Sequence, residues 1–185
     1  MKLDNVSKSF AGRRVLNNLT YEFSKGITAI TGPSGVGKST LTGIMAGLIK
    51  PDAGYVLRGE GKMSIVFQED RLIENLTAIQ NVCFAAGKSA LDDARGLLCA
   101  LGLEDDLDRP VSKFSGGMKR RVAIARALAV KPDLLIMDEP FRGLDEAARA
   151  NAAQLICNRG IHTIIFVTHD RAEIALMNAQ HELSL

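Results

Sequence analysis

Tryptophan is absent from this sequence and aromatic residues make up only 5% of it. The basic residues form no block and no stripe interleaved with aromatics. The charges nearly balance, 23 basic against 21 acidic, which by itself argues neither way on nucleic acid. Without a basic stripe or a stacking platform, no nucleic-acid partner is expected. Cysteine is scarce and odd in number: Cys83, Cys99 and Cys157, with no CxxC spacing. That excludes a disulfide framework and a zinc-site pattern, and the expectation is three small core residues in a reducing compartment. No charge-free stretch reaches the roughly 18 residues a membrane span needs. The opening Met1-Lys2-Leu3-Asp4 carries no apolar signal segment. A role at a membrane would therefore run through a partner. There is no internal repeat or low-complexity tract. The 185 residues suffice for one α/β domain, or for a core with a small inserted subdomain.

What the sequence does have is a glycine-rich stretch, Gly32-Pro33-Ser34-Gly35-Val36-Gly37-Lys38-Ser39-Thr40. The apolar, β-branched run Ile27–Thr31 before it predicts a buried strand. The Leu-, Ile-, Met- and Ala-rich run Ser39–Gly47 after it predicts a helix. Glycines between the two let successive backbone N–H groups turn into one concavity at a helix N-terminus. There the unpaired amides and the helix dipole both favour an anion. Lys38 would reach the β- and γ-phosphates of a nucleotide, and the Ser39 hydroxyl would take a magnesium position. The alternative, a glycine-rich turn before a capped helix, does not explain the lysine and hydroxyl at these places.

The rest of the chain alternates strands and helices, with one interruption. Strands are expected at Met1–Val6, Val15–Phe23, Gly54–Arg58, Met63–Phe67, Leu134–Met137, Thr163–Val167 and Glu182–Leu185. Phe10 is placed in the loop after the first strand, where an ordinary core aromatic is the plain expectation. From Arg71 to Val130 the pattern is all helical: Leu76–Ala86, then Ala90–Leu101, then a helix following Ser115-Gly116-Gly117. In the second of these, Leu91, Ala94, Leu97, Leu98 and Leu101 fall on one face. Helices are also expected at Asp145–Cys157 and Arg171–Met177. Such alternation implies a mostly parallel sheet with its site at the carboxyl ends of the strands.

Several polar residues stand at those ends. Asp138 closes an apolar strand, placed to hold magnesium directly or through water. Glu139 is next to it, placed to orient or deprotonate an attacking water. His169, directly after a strand, could hold that water or donate to the γ-phosphate. Gln68 could coordinate the metal or the water through its carbonyl. Each alone reads equally as a solvated loop residue. Ser115-Gly116-Gly117 at a helix start is a second anion cradle, or simply a helix cap. Two cradles are one too many for a single nucleotide. A two-fold dimer resolves this, each nucleotide lying between the first cradle of one chain and the second of its partner.

The ordered set Gly32–Thr40, Gln68, Ser115-Gly116-Gly117-Met118, Leu134–Glu139, Gly143-Leu144-Asp145 and His169 resembles the ATP-binding cassettes of ABC transporters, over essentially the whole chain. The resemblance implies an α/β fold: a P-loop NTPase core with a mostly parallel sheet, an N-terminal antiparallel β subdomain and a short inserted α-helical subdomain. It implies one domain over 1–185, with 1–70 and 131–185 forming the RecA-like core and β subdomain, and 71–130 the helical part. It also implies roles: Phe10 stacks on adenine, Gly32–Thr40 is the Walker A loop, and Gln68 senses the γ-phosphate and the membrane partner. Ser115, Gly116 and Gly117 clasp the partner's ATP. Asp138 is the Walker B metal ligand, Glu139 the catalytic base, Asp145 the aspartate that crosses the dimer, and His169 the switch histidine. ATP and Mg2+ are the implied ligands. Permease subunits, a second cassette and, through the permease, a substrate-binding protein are the implied partners, at the cytoplasmic face of a membrane.

Three departures accompany this. Met118 stands where the family's signature usually has Gln. The stretches Gly47–Gln68 and Arg71–Phe114 are short, and no regulatory domain follows the last strand, so a minimal cassette with a reduced docking surface is expected. The loops Phe67–Leu72, Ser115–Met118 and Asp138–Phe141 look most like those of nitrate, sulfonate and taurine importers. An alternative is a cassette ATPase without a membrane partner, acting on DNA or the ribosome. Only 46 residues separate Gln68 from Ser115, which leaves no room for the coiled coil those relatives usually carry.

Overall fold

The computed structural model describes the backbone of residues 1–185 and every side chain except that of residue 88. Two sheets organise it. The larger is parallel and five-stranded, in the order β5 (Met63–Val66), β6 (Leu134–Asp138), β7 (Thr163–Val167), β3 (Gly26–Thr31), β8 (His181–Ser184). Its central strands read as unbroken apolar runs because both faces are covered. Alternate residues supply separate cores. Ile30, Ile136, Ile165 and Val167 face one core, and Ala29, Leu135, Met137, Ile164 and Phe166 face the other.

The smaller sheet is antiparallel: β2 (Arg13–Glu22), β1 (Lys2–Phe10), β4 (Ala53–Leu57). It is not confined to the N-terminal segment. The chain leaves it to build β3 and α1 (Lys38–Met45), then returns at β4. Leu3, Val6, Leu16 and Phe23 of this segment meet Leu41, Ile44 and Met45 of α1 over the first face of the parallel sheet. Phe10 is the last residue of β1, not a loop residue, and its ring is 47% exposed with the Lys8 ammonium 5.3 Å from its centre.

The helical block consists of α2 (Ala78–Ala86), α3 (Leu91–Ala100) and α4 (Gly116–Ala129). It packs, with α5 (Glu146–Cys157), into the core on the second face of the sheet. α2 starts two residues later than its apolar pattern suggests, because Thr77 and Gln80 close a capping box around the first turn. On α3 the apolar face holds at Ala94, Leu97, Leu98 and Leu101, but Leu91 in the first turn stays 46% exposed. Cys83 and Cys157 pack half-buried against this core, and Cys99 is exposed on the outer side of α3. The expectation of three core cysteines therefore fails at Cys99. α6 (Arg171–Leu176) leads into β8. No helix among the described residues is long and apolar enough to cross a membrane.

Candidate nucleotide site

β3, β5, β6 and β7 run parallel, so their carboxyl ends open onto one edge of the sheet, and the candidate residues lie there. Beyond Thr31 the chain turns through Gly32 (φ +141), Gly35 (φ +77) and Gly37 (φ +119). A side chain is barred from two of these on space as well as torsion. A Cβ on Gly32 would stand 2.9 Å from the Leu185 carbonyl oxygen, and one on Gly37 would stand 2.6 Å from Val15 Cγ1. Lys38 opens α1 and folds back over the loop, its Nζ donating to the carbonyls of Gly32 (2.8 Å) and Pro33 (2.9 Å). The ammonium is thus held at the mouth of a cleft of about 280 Å³ lined by Ser34, Gly35, Lys38, Ser39, Asp138 and Glu139.

Asp138 ends β6 and is 95% buried, its relative exposure being 5%. Burial pushes its carboxyl above the usual range. The neighbouring Ser39 hydroxyl pulls it back, Glu139 raises it further, and Lys38 and Arg120 lower it. A hydroxyl and a buried carboxylate side by side suit a small hard cation. Among the described residues no cluster of three or more His, Cys, Asp or Glu is placed to hold a metal, so such an ion would complete its shell with phosphate oxygens and water. That is the usual arrangement for Mg2+.

Glu139 is a non-glycine residue at φ +47, its N–H held by the Val167 carbonyl at 3.0 Å. This left-handed backbone is uncommon for a side-chain-bearing residue outside functional turns. It brings Glu139 Oε1 within 3.5 Å of His169 Nδ1, while the histidine ring stays 74% exposed. Glu139 and His169 share a second hollow of about 500 Å³ with Gln68, Arg142, Arg149 and Asp170. Behind His169, the Thr168 hydroxyl donates to Glu173 at 2.5 Å and accepts from the Asp170 N–H at 3.0 Å. Arg149 pairs with Asp170 at 3.0 Å.

The structure thus gathers Gly32–Thr40, Gln68, Asp138, Glu139 and His169. It does not bring Phe10, Ser115–Gly117 or Asp145 to the cleft lining. Ser115 caps α4, its Oγ accepting from the Met118 N–H at 3.2 Å. Asp145 caps α5 through the Ala148 N–H at 2.8 Å. Gly116 faces open space, whereas a Cβ on Gly117 would stand 2.9 Å from the Gly143 carbonyl. Met118 is half-buried and packs against the larger core.

Sequence reasoning missed Arg120. It lies on α4 in register with Ala123, Ile124 and Ala127, on the stripe that faces the core, and is itself only 4% exposed. An arginine on an apolar helical stripe was the available signal. Its guanidinium donates to the carbonyls of Phe67 (2.6 Å) and Gln68 and lies 3.2 Å from Asp70 Oδ1.

Known proteins resemble this chain in sequence and in fold. The ABC transporter family profile matches residues 16–142. The chain belongs to the ABC transporter family. Among curated relatives it is 41% identical, over 92% of its length, to an aliphatic sulfonates import ATP-binding protein of Burkholderia cenocepacia, of which it covers 56%. It is 39% identical to the aliphatic sulfonates import ATP-binding protein of Escherichia coli, covering 95% of this chain and 73% of that one. The chain thus spans little more than half the length of the first of these relatives. Among solved structures, a dimeric bacterial ABC transporter cassette superposes with a TM-score of 0.88 at 30% identity, covering 100% of this chain and 93% of the other. The same figures hold for a dimeric ATP-binding cassette in a post-hydrolysis state, bound to ADP and Pi. The expected fold class stands, with the antiparallel sheet extended by β4.

Proposed function

We propose that this ABC family chain binds and hydrolyses MgATP and powers import through a separate integral membrane permease, at the cytoplasmic face. The observation that carries the reading is the shared rim: Ser39, buried Asp138 and Glu139 line the cleft of the phosphate loop, and His169 lies beside Glu139 in the adjoining hollow. The loop amides and the Lys38 ammonium receive the phosphates. Ser39 and Asp138, with Gln68 lining the same cleft, would hold Mg2+, which would supply positive charge to the phosphates. Glu139 takes the proton of the attacking water. His169 and the Gln68 carbonyl hold that water and the γ-phosphate in line. Phe10, half-exposed at the end of β1, is available to stack on adenine. Ser115, Gly116, Gly117 and Asp145 belong to the nucleotide of a partner cassette, which fits their absence from the chain's own cleft. The dimeric cassettes among the structural neighbours support this pairing.

The importer reading, with a substrate-binding protein on the far side of the permease, rests on relatives named for import of sulfonates, spermidine/putrescine and Fe3+. The higher identities to sulfonate cassettes favour that group. Exposed Leu48, which lines a groove with Ile49, Phe67, Gln68 and Arg71, offers apolar surface to a permease helix beside Gln68.

The test is phosphate release by the purified chain. Glu139→Gln is expected to lower kcat by about 100-fold or more while ATP affinity stays within about twofold. The variant should also collect as an ATP-bound dimer in size-exclusion chromatography. Full turnover in the variant removes the assignment of the base.

A further inference from the structure

We infer that Arg120, assisted by Arg126, is a positioning residue for Gln68, and that it ties the Gln68 loop to the helix begun by the Ser115 cradle. The inference rests on the ATPase reading above but on a different set of contacts.

Residues 67–71 have no ladder of their own. They follow β5 and belong to no helix or strand. Carbonyls outside secondary structure have no ladder partner and take donors from side chains or water. Four of the five here receive them from two arginines of α4. Arg120 serves Phe67 and Gln68. Arg126 serves Asp70 (2.8 Å) and Arg71 (2.7 Å). The Asp70 carboxylate lies 3.2 Å from the Arg120 Nε, in an ion pair without an aligned hydrogen bond. The Arg71 guanidinium stacks 3.9 Å from the centre of the Phe67 ring, closing the loop on its outer side.

This is an expensive arrangement to keep for shape alone. Burial disfavours the charged guanidinium of both Arg120 and Arg126, with Asp70 as the compensating anion in each case. An apolar residue on that stripe would pack without the cost, and replacing buried ion pairs by apolar groups is often neutral or stabilising. What an apolar residue would not do is fix the backbone of Gln68. A planar guanidinium bonding consecutive carbonyls sets the direction of that peptide plane, and therefore where the Gln68 side chain is launched. Arg120 is also placed electrostatically near Asp138, Glu139 and Arg142. One side chain thus connects α4 to the chemistry of its own chain. If Ser115 clasps a partner's nucleotide, that clasp and Gln68 of the same chain sit on one rigid piece.

The test is a double-substitution cycle on the full chain, read by steady-state phosphate release. Arg120→Lys keeps the charge but loses the fork. In the native background it is expected to lower kcat about tenfold with KM within about twofold. In a Gln68→Ala background the same substitution is expected to change kcat less than about twofold, because its target is gone. Equal losses in both backgrounds, or a change confined to KM, overturn the inference. Amide hydrogen exchange gives a readout independent of turnover. Arg120→Gln and Arg126→Gln should each speed exchange in the Gln68 loop while β6 and β7 stay protected. Unchanged exchange there overturns the clamp. If the native chain releases no phosphate, the ATPase reading fails and the exchange result alone decides the clamp.

Discussion

Glu173 shows how a single residue fixes a loop. It is 93% buried at the start of α6, being 7% exposed, and its carboxylate accepts the Thr168 hydroxyl that in turn holds the Asp170 N–H. The backbone on both sides of His169 is thereby set. Burial raises the Glu173 carboxyl above its usual range; the Thr168 bond and Arg149 lower it, and Asp170 raises it. A carboxyl raised by folding binds its proton more tightly in the native state, so its contribution to stability falls as pH rises from the ordinary carboxylate range. Glu173→Gln should therefore gain in Tm relative to the native chain as pH goes from about 4 to 7. Thermal unfolding at both pH values checks this; a gain that shrinks with pH would contradict the sign.

At the scale of elements, the unbroken apolar strands β3, β6 and β7 were plain in the sequence, because a parallel sheet covered on both faces needs no alternation. β1 was not plain beyond Val6. Its later residues Ser7, Lys8 and Ser9 are polar, and the strand continues only because β2 and β4 pair with it across bulges. One bulge has Asn5 at φ +50, and Gly54 of β4 sits against it: a Cβ there would stand 2.3 Å from the carbonyl oxygens of Asp4 and Asn5. Gly54→Ala is expected to lower unfolding free energy by about 2 kcal/mol or more, measured by urea denaturation. The sequence could place the phosphate loop and the strand-end Asp138, Glu139 and His169, since local runs frame them. It could not show Arg120 reaching the Gln68 loop, because that contact spans 52 residues and a helical arginine ordinarily reads as solvated.

At the scale of the whole molecule, the parallel sheet separates two cores, with the phosphate loop on one side and the Ser115 cradle on the other. Gly116 offers a way to test the proposed pairing without disturbing either core. Its Cβ would meet nothing within 4 Å, and an acidic residue at a helix N-terminus is favourable. Gly116→Asp should thus leave Tm within about 2 °C. Yet it puts a negative charge where a partner's phosphate would dock. In the Glu139→Gln background it should abolish the ATP-driven dimer in size-exclusion chromatography. A dimer that persists would take Gly116 out of the interface.

Ser115 stands outside the cleft of its own chain, and that has a consequence for dosage. On the proposed pairing, a lone copy is inert however much ATP surrounds it. Below the concentration at which copies meet, the rate of phosphate release should grow with the square of the amount of chain present, so halving the supply leaves about a quarter of the output.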